Sequence, residues 1–315
     1  VKTIFLTLFL FCLLAGCKQS YKKMGEPLTM QPNNPSKGIT LNAKVCLEGA
    51  FIETPSLMRQ KINEDLFLPR ISPYTGLLPW NHQSSNDLIL PTTIYNLHAL
   101  VDWVIIQVYQ DVNGVKTFKD SQSGFISKNG KIFDSSGLQG IVFPELQSGE
   151  YYVNIIHRNH LAIGSLDAVS IDASFSPDIY NIDFTSLTTD YLGSNNFVEL
   201  GTSPVKCMLA GDINGDLVID TDDETAFENS IKEVVTNPAP DTQILGYNRA
   251  DLNLDGQARK FNDPGATDES DDFTFIQPRT KIARAKSTRN KRQKNSSILI
   301  SHELTKNTHL EYFLP

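Results

Sequence analysis

The stretch Leu100–Gln110, "LVDWVIIQVYQ", decides how the rest of the chain is read. It has the length of a strand, is rich in β-branched and aromatic residues, and is apolar at both alternating sets of positions. That pattern predicts a central strand buried on both faces, with Trp103 inside it. Between Gly38 and about Ala210 no helical pattern of comparable strength occurs; instead, short runs such as "ITLNAKVCL" (39–47), "GIVFPEL" (140–146), "YYVNIIH" (151–157) and "IYNIDF" (179–184) alternate with turn signals. Many short strands at roughly ten-residue spacing predict a mainly β fold over residues 39–210, an Ig-like or jelly-roll-type β-sandwich.

The punctuation between these runs is specific. In "FISKNGKIFD" (125–134) Asn129 and Gly130 can both take positive φ, which predicts a type I′ turn between two right-twisted strands. Asn113-Gly114 and Ser148-Gly149 mark further turns. Residues from about Ser56 to Pro79 are less regular and read as a loop excursion holding one helical turn. No self-similar period occurs in this region, which excludes an array of repeats.

The chain changes character at Gly211. "GDINGDLVIDTDDETAF" sets five acids among the twelve positions from Asp212 to Asp223, so either the segment stays unfolded or a cation sits among them. With Asp212 as position 1, oxygen ligands fall at Asn214 (3), Asp216 (5), Asp220 (9) and Asp223 (12), and Val218 (7) offers a backbone carbonyl. A twelve-residue loop of this spacing can wrap Ca2+, a hard ion that takes six to eight oxygens. Ala226, Phe227, Ile231, Val234 and Val235 then recur at helical spacing. A second copy starts at "ADLNLDGQ", where Asp251, Asn253 and Asp255 repeat positions 1, 3 and 5. An insertion follows before Asp271 or Asp272 can close it, and Asp272 is taken as the last ligand. Phe227 and Ile231 are expected to pack on Phe273 and Ile276.

Loop followed by helix, twice, resembles the dockerin repeat pair, a small α module of exported bacterial proteins that binds Ca2+; the match covers 211–278. The resemblance departs at two places. Leu217 occupies position 6, where glycine makes the sharp turn, and Asp222 stands beside Thr221 where dockerins present a hydroxyl to their partner, which argues against a cohesin-type partner.

The first residues form an export signal. Lys2, the apolar run "TIFLTLFLFCLL" and "LAGC" (14–17) resemble the bacterial lipoprotein signal, in which Cys17 receives a lipid and becomes the new N-terminus. Residues 1–17 are then signal peptide and 18–38, polar with Pro and Gly, a flexible tether. Two cysteines remain, Cys46 and Cys207. Outside the cytoplasm they can pair, since first and last strands of a sandwich can be neighbours; buried free thiols are the alternative.

The net charge is −8, divided unevenly. From 211 to 278 there are sixteen Asp and Glu against four Lys and Arg, whereas 279–315 has nine Lys and Arg against two Glu. This balance argues against nucleic acid as a partner of the folded part. The basic tail 279–315 reads as a disordered solvated extension, or as a strip for anionic lipid or polysaccharide.

The phrases "LNAKVCLEGAF", "MRQKINEDLFLPRISPY", "VDWVIIQV", "GEYYVNIIHRNHLAIGS", "AGDINGD" and "YNRADLNLDG" together make the chain resemble a family of exported Bacteroidetes surface proteins, hemagglutinin-like or adhesin-like, over about residues 40–276. The resemblance implies an outer-membrane or cell-surface location and a role in binding a glycan or a surface protein. No nucleophile elbow, zinc-protease helix or phosphate loop occurs. His157 and His160 in "HRNHL" fall at a strand end and turn, which favours a structural or surface role over metal ligation. A non-catalytic adhesin is the expectation; a polysaccharide-active enzyme with acids hidden among the loops is the alternative.

Overall fold

The computed structural model describes residues 38–74, 80, 82, 99–173, 178–188, 191–192, 196–235, 243–259, 272 and 275–276. The signal peptide with Cys17, all of the tether but Gly38, the basic tail, Asp271 and Phe273 lie outside the described residues.

The architecture is mainly β, with two helices among the described residues. The chain begins with β1 (Ile39–Lys44), β2 (Phe51–Ile52), β3 (Leu57–Met58) and helix α1 (Lys61–Glu64). The long strands β4 (Leu100–Val112) and β5 (Val115–Ser127) follow, then β6 (Ile132–Phe133), β7 (Ile141–Phe143) and β8 (Gly149–His157). Next come β9 (His160–Ser165), β10 (Val169–Ile171), β11 (Asp178–Asp183), β12 (Tyr191–Leu192), β13 (Phe197–Leu200) and β14 (Val205–Met208). Helix α2 (Thr221–Lys232) and the strand pair β15 (Gln243–Leu245) and β16 (Gln257–Arg259) make up the acidic region.

One sheet runs β12-β9-β8-β4-β5-β6, with β10 also on β8; a second runs β11-β1-β7, and β13 pairs with β14. Strand β4 lies between β5 and β8 and is buried along nearly its whole length, as its doubly apolar pattern requires. Trp103 is fully buried against Phe125, the two rings tilted by 48° with centroids 3.8 Å apart. A buried indole N–H needs an acceptor, and the Trp103 Nε1 finds one in the Pro69 carbonyl at 2.9 Å. Tyr74 Oη donates to the Trp103 carbonyl at 3.0 Å. The irregular excursion therefore carries its helical turn, α1, and covers the central strand with hydrogen-bonded side chains.

The turn expectation is corrected in its place. The type I′ pair is Asn113-Gly114, both at positive φ (57° and 85°), joining β4 directly to β5. At Asn129-Gly130 only Gly130 is left-handed (φ 85°). There Gly130 N donates to the Ser127 carbonyl at 2.8 Å and Ser127 N to the Lys131 carbonyl at 2.9 Å. That makes a three-residue connection with glycine at the bulge position. The extra residue, Lys128, removes the demand for positive φ at Asn129.

Cys46 and Cys207 are joined by a disulfide, their Cα atoms 4.3 Å apart. The bridge is positioned by backbone pairing, since Leu47 bridges Met208 in parallel and Met208 N donates to the Cys46 carbonyl at 2.7 Å. Closing a loop of 161 positions removes chain entropy equivalent to about 5 kcal/mol in the unfolded-state model.

Architecture changes near residue 210, yet the two parts share buried contacts. A small apolar core of Ile213, Ile219, Phe227, Ile231, Ile244, Leu252, Ala258 and Ile276 includes Leu161 from β9, while Leu254 belongs to the main core. Phe227, Ile231 and Ile276 come together as expected. Gly49 abuts the Leu252 backbone so closely that any Cβ would strike the Leu252 carbonyl, which is why the β region offers glycine there. The second acidic loop leads directly into strand β16. The residue that closes it, Asp272, comes from across an insertion, and residues 257–259 pair with β15.

Candidate metal centre

The first loop is organised by its own carboxylates. Asp212 accepts from Gly215 N at 2.8 Å and Leu217 N at 3.2 Å. Asn214 Oδ1 accepts from Asp216 N, and Asp216 Oδ1 from Val218 N. Asp223 closes the loop, taking Ile213 N at 2.7 Å and Asn214 N at 3.1 Å on Oδ1 and Asp220 N at 2.9 Å on Oδ2. That last bond also starts α2: Asp220 is the N-cap, accepting from Asp222 N at 2.8 Å, and Asp223 completes the capping box. Acids at positions 9 and 12 thus serve helix and loop together.

The second loop repeats most of this scaffold, except that one bond to its first acid comes from Asp255 N at position 5 where the first loop uses Gly215 N at position 4. Asp251 takes Gly256 N, Asn253 Oδ1 takes Asp255 N, and Asp255 Oδ1 takes Gln257 N. Asp272 accepts from Leu252 N at 2.7 Å, Asn253 N at 3.1 Å and Arg259 N at 2.7 Å, matching Asp223. Asp272 is therefore the residue that closes the loop across the insertion. Both loops turn left-handed at positions 4 and 6, with Gly215 and Leu217 (φ 77° and 70°) in one and Leu254 and Gly256 (φ 58° and 83°) in the other. Leu217 adopts glycine's conformation, at a cost of about 1–2 kcal/mol.

Electrostatics differ. Asp212 and Asp223 are buried, and among the described residues the carboxylates of the first loop are hydrogen-bonded only by backbone amides and the Asn214 side chain. Burial, then Asp223 and Asp216, pushes Asp212 well above the usual carboxylate range; burial also raises Asp223, to about 7. Arg249 reaches this loop but donates to the Ile213 carbonyl and stacks its guanidinium 4.4 Å from the Trp80 centroid. In the second loop burial likewise raises Asp251 and Asp272, but the next influence on Asp251 is Arg158, which lowers it. Among the described residues no three His, Cys, Asp or Glu side chains are grouped closely enough to grip a metal ion as they stand. By donor chemistry, the first loop fits a hard divalent ion: carboxylates, a carboxamide and a carbonyl position, with no guanidinium ion-paired to any of its acids among the described residues.

The histidines of "HRNHL" belong to a buried hub. A β-bulge between Leu100 and Asp102 re-aims Asp102 within β4. Its Oδ2 accepts from Arg158 Nε at 2.8 Å and His157 Nε2 at 3.2 Å, and its Oδ1 from Tyr247 Oη and Trp103 N, both at 2.7 Å. Burial alone would raise the Asp102 pKa, but Arg158, His157 and Tyr247 together hold it well below the usual range. Gly49 N donates to His160 Nε2, which leaves the proton on Nδ1, facing Asn159 Oδ1 at 2.8 Å and His157 Nδ1 at 3.0 Å. Both rings are thereby neutral, in keeping with the lowered pKa of His157. Arg158 also donates to the Asn248 carbonyl and lies 3.8 Å from Asp251, while Asn159 Nδ2 donates to the carbonyls of Arg249 and Asp251. Asp102, His157, Arg158, Asn159 and His160 are at most 2% exposed, so this hub fastens the second loop to the central strand and meets no solvent. The motif reading picked out its histidines and missed Asp102 and Arg158. The available signal was the lone acid in "LVDWVIIQV", since a charge in a doubly buried strand must be paired.

No protein-family model matches the chain, and no curated protein matches it. A solved structure, an interface mutant of a type II cohesin–X-dockerin complex from Acetivibrio cellulolyticus, aligns over 77% of this chain and 95% of that one at 13% identity, with a TM-score of 0.31. A likeness that slight assigns neither family nor partner.

Proposed function

We propose that this chain is a non-catalytic, calcium-binding surface lipoprotein. In this reading the β region, a sandwich of the Ig-like or jelly-roll kind, presents a glycan- or protein-binding surface. Cys17 carries the lipid that holds it to the outer membrane or cell surface. The dockerin-like acidic region stiffens it rather than recruiting a cohesin. Residues Asp212, Asn214, Asp216, Asp220 and Asp223 would hold Ca2+ with the carbonyl of Val218, and the ion would supply the positive charge that the loop lacks.

The observation that carries the reading is the pair Asp212 and Asp223, 2% and 0% exposed, whose hydrogen-bond partners among the described residues are backbone amides. Buried carboxylates are stable when a cation compensates them, and neutralise themselves when none does. Calcium titration followed by thermal unfolding tests this: the unfolding temperature should rise with the ion in the wild type and stay unchanged in Asp212→Ala. An ion-independent wild type would refute it. A glycan-binding screen in calcium and in chelator, run beside a hydrolysis assay on the same sugars, separates adhesin from enzyme. Release of Cys17→Ser from membranes tests the anchor.

A further inference from the structure

We infer that the second acidic loop takes no calcium because Arg259 is its resident cation, so that one ion binds where two matching loops would lead one to expect two. The inference deepens the reading of the first loop as a calcium site, and it can fail separately from it.

Counting from Asp251 as position 1, Arg259 stands at position 9, where the first loop has Asp220. The backbone bears out the equivalence, since Arg259 N donates to Asp272 Oδ2 as Asp220 N donates to Asp223 Oδ2. From that position the guanidinium turns back into its own loop, Nη2 lying 2.6 Å from Oδ2 of Asp255 at position 5. The Arg259 side chain is 10% exposed and that of Asp255 fully buried, so this is an interior pair and not a solvated surface contact. A second guanidinium, Arg158, lies against Asp251 at position 1 and is fixed from behind by Asp102.

Three consequences exclude the ion. Position 9 supplies nitrogen donors instead of an oxygen ligand, and a guanidinium does not deprotonate to become one. The Asp255 oxygen that a calcium ion would need is already bonded to a positive group. A divalent ion would also sit against the Arg259 guanidinium on Asp255 and near that of Arg158 beside Asp251, like charges packed side by side in a buried site. The first loop has four carboxylates, and its neighbouring guanidinium, Arg249, bonds the Ile213 carbonyl; among the described residues none of those carboxylates is ion-paired. The second loop is therefore an ion-independent clip, joined through Arg158 to the central strand, beside a first loop that depends on an ion.

Native mass spectrometry of the purified protein in excess calcium counts the ions, with circular dichroism confirming that each variant is folded. One ion is expected in the wild type, none in Asp212→Ala, and two in Arg259→Ser, which removes the guanidinium and restores an oxygen at position 9. Should Arg259→Ser fail to fold, Arg259→Gln keeps the packing stem and an amide oxygen and takes its place. Two ions in the wild type, or one retained in Asp212→Ala, would overturn the inference. So would a folded Arg259 variant with no ion gained. No ion in the wild type and one in the Arg259 variant would sustain the inference while removing the reading of the first loop.

Discussion

The two acidic loops share a backbone and differ in what neutralises it. Positions 1, 3, 5 and 12 hold Asp, Asn, Asp and Asp in both, and equivalent amides bond to equivalent oxygens. Yet Asp216 at position 5 faces solvent and has no ion pair among the described residues, whereas Asp255 is buried against Arg259. Side-chain-to-backbone bonds from short acids set the path of the loop; the occupant is chosen by position 9 and by what the neighbouring sheet brings. The β region brings Arg158 to the second loop and apolar Leu161, Leu209 and Ala210 to the small core beneath the first.

That contrast can be broken in several ways. Asp102→Ala leaves Arg158 buried without its partner and should cost about 3–5 kcal/mol, by the same amount in calcium and in chelator. Urea titrations under both conditions check this, and a loss confined to calcium would join the two loops into one ion-dependent unit. Calcium at one hundred times its dissociation constant should stabilise the wild type by about 2.7 kcal/mol and Asp212→Ala by nothing, read by the same titrations.

Acidity exposes the difference without a mutation. Burial lifts Asp223 to about 7 in the folded ion-free protein, against roughly 3.9 when unfolded. The folded state then binds more protons between those values, so stability falls as pH rises from about 4 to about 7 and levels off above. Calcium, which holds the carboxylate ionised, should flatten this slope, as urea midpoints at pH 5 and 7.5 would reveal. The smallest effect is that of Leu217→Gly. Relief of the left-handed leucine outweighs the entropy of a new glycine by only about 1 kcal/mol or less, measured as a rise in unfolding temperature with calcium present and absent.

Much of the β region was legible because its signals are local. The doubly apolar run around Trp103 dictated a central strand, and Asn113-Gly114, Asn129-Gly130 and Ser148-Gly149 marked the ends of the strands beside it. The loop from Asp212 to Asp223 was legible for the same reason, since its acids and the amides they bond lie within one short stretch. Pairings between distant residues were not. Asp102 and Arg158 are 56 positions apart, and nothing in either's neighbourhood names the other. Arg259 could be counted to position 9, but its meaning depends on Asp272 closing the loop from beyond an insertion. The turn at Asn129-Gly130 misled because the dipeptide specifies a conformation without specifying loop length, and Lys128 added one residue.

Hydrogen exchange of the two loops, in calcium and in chelator, tests the central claim most directly. Amides of residues 213–223 should gain protection with calcium, while those of residues 252–259 should exchange equally slowly in both conditions. Equal protection of the first loop with and without the ion would contradict the account, as would a calcium-dependent rise in the second.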